Sequence, residues 1–226
     1  MSLELIDLRI EYNHPRTSEF TLESKCIAEL YWSFLKDYDT KKVKRCNIIT
    51  SDNWGDDIYE YTNWNDTKGI NVPFDFDEYF LSDNHTKKTL QLKTIHTGMI
   101  KIAEIEKWDI NPLLDSYNKC LNNDLEYSFI LNKYKSSPNR KFKINLKCYW
   151  DINKVEIHYI LCDKNENIIC EKKIFKKPSN QGELVYYLKW KWLDNLTVLI
   201  EDKYKYGNNE KWEVNVETNS IQNSDA

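Results

Sequence analysis

Glycine and proline are scarce, with five of each among 226 residues, and alanine occurs only three times. A doubly wound nucleotide-binding fold needs Gly-rich turns after its strands, and this chain lacks the material for them. No apolar run approaches the roughly 18 residues of a membrane-crossing helix. Met1 to Ile10 alternates charge with apolarity and holds no continuous apolar stretch, so no signal peptide is expected. The expected location is cytoplasmic, with no membrane association.

Metal and cofactor motifs are missing as well. The six cysteines (26, 46, 120, 148, 162, 170) form no CxxC pair, and the four histidines (14, 85, 96, 158) fall outside metal-ligand spacing with them. A structural zinc site needs thiolates and imidazoles converging from local pairs, so no metal and no cofactor is expected. Reduced, mostly buried thiols fit the expected compartment. GxSxG, HExxH, P-loop and GxGxxG patterns are all absent, which removes the common hydrolase, zincin and nucleotide-binding signatures. No catalytic residue is assigned, and a non-enzyme is favoured.

What is present argues for a folded chain. Aromatics make up 14% of the residues, and each buried ring removes about 150–250 Å² from water. Ile6, Leu8, Ile10 and Tyr12 alternate with Asp7, Arg9 and Glu11, a half-buried strand ended by His14-Pro15. Ile27, Leu30, Tyr31, Phe34, Leu35 and Tyr38 then follow helical spacing, with Ser18 or Thr21 as cap and an end near Asp37. Val43 to Thr50 is a strand. Ser51 to Gly69 has little apolar period and reads as a long loop with one short strand at Ile58–Thr62; Ile70, Val72, Phe74 and Phe76 are extended.

Residues 84–108 fit a helix through Leu92, Ile95, Met99 and Ile102, or a hairpin turning at His96-Thr97-Gly98. Ile105 and Trp108 extend the helical stripe and favour the helix. Asn111-Pro112 opens a further helix, with Leu113, Leu114, Tyr117, Cys120 and Leu121 on one face.

After Pro138 the pattern is a sheet: runs at 142–148, 155–159, 168–175, 184–193, 197–202 and 212–216, separated by short turns. Connections this short leave no room for crossovers, so the runs form an antiparallel meander. Cys162 faces Cys170 across the 155–175 hairpin if its loop is Asn165-Glu166-Asn167, and lies opposite Ile169 if the loop has two or four residues. The expected architecture is α+β: a C-terminal meander of five or six strands, covered on one face by two or three helices from the N-terminal half, with the first strand added at the sheet's edge. Residues 1–218 form one domain, loosely divisible near 138 into a mixed helical and acidic-loop region and the sheet. Residues 219–226 are a frayed polar tail.

Charge is unevenly distributed. Between Asp52 and Asp83 nine acids face Lys68 alone, net −8; between Lys133 and Lys177 twelve bases face five acids, net +7. Such asymmetry points to a partner or to internal docking of the acidic segment on the basic sheet. The acidic segment interleaves carboxylates with rings, a surface suited to capturing a basic protein: rings supply desolvated contact area and carboxylates speed encounter. The expected partner site is Asp52, Trp54, Asp56, Asp57, Tyr59, Tyr61, Trp64, Asp75, Asp77 and Glu78, in a module of inhibitor or immunity type. The alternative is an enzyme holding Mg²⁺ or Ca²⁺ at Asp75 and Asp77, although the EF-hand spacing is absent. A nucleic-acid binder using the lysine-rich sheet comes third, disfavoured by the formal charge of −4. His96 and His158 are the best-placed imidazoles for acid–base work, with no local nucleophile beside either. In Tyr186–Trp192 the rings fall on one strand face and Lys189 and Lys191 on the other, so the rings belong to the core.

Overall fold

The computed structural model describes residues 3–11, 14–51, 61–204 and 209–224. The chain is α+β, and its contacts separate two compact units, Met1–Tyr127 and Ser128–Ala226. The boundary falls at 127/128 rather than near 138. The reason is a strand not recognised in the sequence, β5 (Tyr127–Ser136), which pairs into the C-terminal sheet.

The N-terminal unit holds β1 (Leu5–Ile10), α1 (Thr17–Ser33), β2 (Arg45–Ser51), β3 (Tyr61–Trp64), β4 (Thr67–Pro73), α2 (Phe76–Leu81), α3 (Asn84–Glu106) and α4 (Asn111–Asn122). Its strands are ordered β1-β2-β4-β3, with β1, β2 and β4 parallel and β3 antiparallel to β4. The first strand therefore pairs with β2 and does not join the C-terminal sheet. Parallel neighbours need a crossover of a dozen residues or more, and α1 is that crossover between β1 and β2.

Register places Ile6, Cys46 and Lys68 in one row, then Leu8, Ile48 and Ile70, then Ile10, Thr50 and Val72. All nine are buried on one face, against α1 and α3. Phe20, Ile27, Leu30 and Tyr31 of α1 and Leu92, Ile95, Met99 and Ile102 of α3 supply the opposing layer. Each large side chain so buried is worth about 1.5–3 kcal/mol of transfer free energy. Within this unit α1 and α3 thus spend their apolar faces on its own sheet.

The helix reading of 84–108 holds: α3 is continuous over 23 residues. Asp83 caps it by accepting from the Thr86 amide at 2.8 Å, and Lys107 ends it in a left-handed conformation, φ 55°. α1 begins earlier than expected. Its N-cap is Arg16 and no side chain caps it; neither Ser18 nor Thr21 has that role.

The C-terminal unit contains β5, β6 (Phe142–Trp150), β7 (Val155–Asp163) and β8 (Ile168–Lys177) in one antiparallel sheet. A 3-10 segment (Ser179–Tyr187) leads to β9 (Leu188–Trp192), β10 (Thr197–Asp202), β11 (Lys211–Asn215) and β12 (Ser220–Ser224) in a second. The meander is present, with eight strands in two sheets of four. Their buried faces meet: Phe175 stacks on Trp212 with ring centroids 4.2 Å apart, and Tyr159 donates to Asn219 Oδ1 at 3.0 Å. Residues 220–224 are not a frayed tail but the edge strand β12, held by backbone pairing with β11 and turned back at Asn219, φ 55°.

In β9, Leu188 and Trp190 are buried and Lys189 and Lys191 exposed, as expected. Tyr186 lies outside the strand, in the 3-10 segment, and is exposed. Gly182 in that segment permits a close approach, since a β-carbon there would lie 2.1 Å from the Trp150 ring. The Asp163 amide donates to the Asn167 carbonyl at 3.0 Å, and bulges shift the pairing, so that Cys162 opposes Ile168 and Leu161 opposes Cys170. Neither anticipated register occurs, and all six cysteines are free thiols.

Candidate functional site

Of the ten residues expected to bind a partner, Asp52, Trp54, Asp56, Asp57 and Tyr59 lie outside the described residues. The other five separate into two places. Asp75, Asp77 and Glu78 follow the carboxyl end of β4, whereas Tyr61 and Trp64 belong to the β3–β4 hairpin, whose turn adjoins the other end of that strand. At about 3.3 Å per residue, the six steps from Thr67 to Pro73 put roughly 20 Å between the strand's ends.

Pro73 ends β4, and Asp75 begins α2. Its Oδ1 accepts from the Glu78 amide at 2.8 Å, satisfying a backbone donor that the helix start leaves open. Asp77 and Glu78 occupy the first turn, where carboxylates complement the helix dipole. The buried side of α2 is Phe76 and Tyr79; the outward side is Asp77, Glu78 and Leu81, and Leu81 is 88% exposed. Among the described residues no lysine, arginine or histidine forms an ion pair with Asp75, Asp77 or Glu78. The negative charge of this short helix faces water.

The rings of the same segment behave differently. Phe74, Phe76 and Tyr79 pack with Phe20 of α1 at centroid distances of 5.1–5.4 Å, inside the core. Phe80 carries the Arg16 guanidinium 3.3 Å above its ring, and Arg16 in turn holds both oxygens of Glu19, at 2.6 and 2.7 Å. Only Trp64, 77% exposed, matches the expectation of a free ring among those described. Composition marked these side chains as sticky without showing which way they point.

Behind α2 lies a buried polar network. Lys87 Nζ contacts Glu23 Oε1 and Oε2 at 3.1 and 3.0 Å, Tyr79 donates to Glu23 Oε2 at 2.7 Å, and Gln91 Nε2 donates to the Tyr79 oxygen at 2.6 Å. Burial, followed by the bond to Glu23, pushes the Tyr79 hydroxyl far above its ordinary range, so it stays a donor. Gln91 Oε1 is buried without a partner. This network fixes α2 and α3 to α1. Sequence reading did not find it, since Glu23, Lys87 and Gln91 are far apart in the chain.

The carboxyl ends of the parallel strands bring together two more residues that the sequence did not single out. Glu11, just past β1, accepts from Ser51 Oγ of β2 at 2.6 Å, and the Phe74 amide donates to the Ser51 carbonyl at 3.1 Å, which sets Asp75 one residue from that row. Ligands of open α/β sheets bind beyond strand carboxyl ends. Parallel pairing is the signal that would have revealed this edge. Among the described residues no three His, Cys, Asp or Glu side chains gather closely enough to hold a metal ion.

At the opposite end of the sheet, Tyr61 donates to Glu106, and Lys68 Nζ lies 3.3 Å from Glu106 Oε1 and 2.5 Å from Asn63 Oδ1. The Tyr61 bond, with Lys68 close by, outweighs desolvation and holds the Glu106 carboxyl below its ordinary value. Tyr61 is thus committed to an internal cluster.

Many of the C-terminal lysines are matched within their own unit. Lys143 pairs with Glu166 at 2.7 Å, Lys147 with Glu171 at 3.8 Å, Lys154 and Lys173 with Glu156 at 3.3 and 3.6 Å, and Lys177 with Glu210 at 2.6 Å. His158 stands between two of these acids, Nδ1 3.2 Å from Glu171 Oε1 and Nε2 3.7 Å from Glu156 Oε2. With a carboxylate near each nitrogen it sits in a cross-strand polar cluster. His96 on α3 lies 3.0 Å from the Tyr31 hydroxyl and stacks on Tyr117 at 4.4 Å, and burial lowers its proton affinity. Among the described residues neither imidazole has a serine, threonine or cysteine as its partner. Cys46 and Cys120, both buried, are pushed up to about 12 by desolvation, which leaves them protonated and inert.

Comparison with family models, curated proteins and solved structures finds no match to this chain. The fold places it in the α+β class, and among the described residues no helix is long and apolar enough to cross a membrane.

Proposed function

We propose that this protein is a non-enzymatic binding module of inhibitor or immunity type, and that its ligand is a protein with a basic surface. One observation supports the reading above the others. Asp75, Asp77 and Glu78 stand exposed on α2 without an ionic partner among the described residues, beside a nearly free Leu81. Uncompensated carboxylates steer a basic partner, and an exposed leucine gives it an apolar anchor to desolvate. Since Phe74, Phe76 and Tyr79 are core residues, the contact area proposed is that of α2 and not of the rings.

A second reading, a metal-dependent hydrolase-like enzyme, draws support from Glu11 and Asp75 lying at the carboxyl edge of the parallel strands. A nucleic-acid surface on the lysine-bearing sheet is weakened by the glutamate partners of those lysines.

The test is affinity capture by the wild-type protein and by an Asp75→Asn/Asp77→Asn/Glu78→Gln variant, alongside thermal melts of both. Asparagine keeps the cap, so the melts should coincide within about 0.5 kcal/mol, as expected for surface changes. The variant should lose at least tenfold in retention of a basic partner, more so at low salt. Equal retention of the same partner would refute the assigned surface. A melt raised by Mg²⁺ or Mn²⁺, and lost in Asp75→Asn, would support the enzyme reading, because a ligand of the folded state stabilises it by mass action.

A further inference from the structure

We draw no further inference here: the strongest candidate, the exposed apolar stripe of Ile110, Leu114 and Leu121 along α4, is an unpartnered helix face, and nothing in the structure shows what covers it.

Discussion

Gly98 of α3 rests directly on Ile48 of β2, so that a β-carbon at position 98 would lie 2.6 Å from Ile48 Cδ1 and 2.9 Å from its Cγ2. Ile48 is fully buried at the centre of the sheet and cannot swing aside cheaply. Gly98→Ala therefore combines a gain of about 1 kcal/mol in helix propensity with an overpacking cost of about 1–3 kcal/mol. The expected outcome is net destabilisation of about 1 kcal/mol in denaturant melts. In an Ile48→Val background, where Cδ1 is gone but the 2.9 Å contact with Cγ2 stays, the same change should cost less. Equal effects in both backgrounds would show that the contact is not the cause.

The Lys87–Glu23 pair is removed from water on both sides, with side-chain exposures of 11% and 13%. Lys87→Met leaves Glu23 with the Tyr79 hydroxyl and no cation, and should cost about 3 kcal/mol, the usual penalty for breaking a buried pair. The double variant Lys87→Met/Glu23→Met should recover a large part of that loss. A double-mutant cycle gives the coupling directly; additive effects would mean that the two charges act independently.

Acid sensitivity should be traceable to Glu106. Its proton affinity is lowered in the folded state by the Tyr61 bond, which overcomes desolvation, and by Lys68. A carboxyl with a depressed folded value contributes its stability above the unfolded value, here the ordinary 4.5, and loses it as pH falls through the folded value. Melting temperature should therefore drop below about pH 4.5, and Glu106→Gln should narrow the difference between neutral and acidic melts. A variant with the same acid profile as the wild type would assign the sensitivity to other groups, such as Glu156. There burial opposes ionisation, but Lys154, Lys173 and His158 outweigh it.

Which parts of this fold were legible depended on whether a signal was local. α4 and the strands β6 to β8 follow from period and turn residues alone. α3 was nearly obscured by Thr94 and Gly98. Thr94 bonds back to the Leu90 carbonyl at 2.8 Å, and Gly98 is where the helix meets the sheet, so residues that argue against a helix are the ones its packing requires. β12 carries almost no apolar pattern: Ser220, Gln222 and Asn223 alternate around Ile221, and the strand exists because β11 offers a backbone edge. The acidic segment was legible as charge and not as surface. Change of period at Pro73, from strand to helix, turned Phe76 and Tyr79 inward and left Asp77 and Glu78 outside.

Strand pairing in the two units makes unequal demands on the polymer. Leu5 must find Arg45 across forty residues of chain to start the β1–β2 ladder, whereas Val155 needs only to fold back five residues onto Trp150. Closing the longer loop costs about 0.6 kcal/mol more for each doubling of length, and ladders of distant partners form late. Order should thus spread from the hairpins of the C-terminal unit, with the parallel sheet setting the slow phase. Pulse-labelled amide exchange would register this as early protection of Val155–Asp163 and late protection of Leu5–Ile10; the reverse sequence would contradict it.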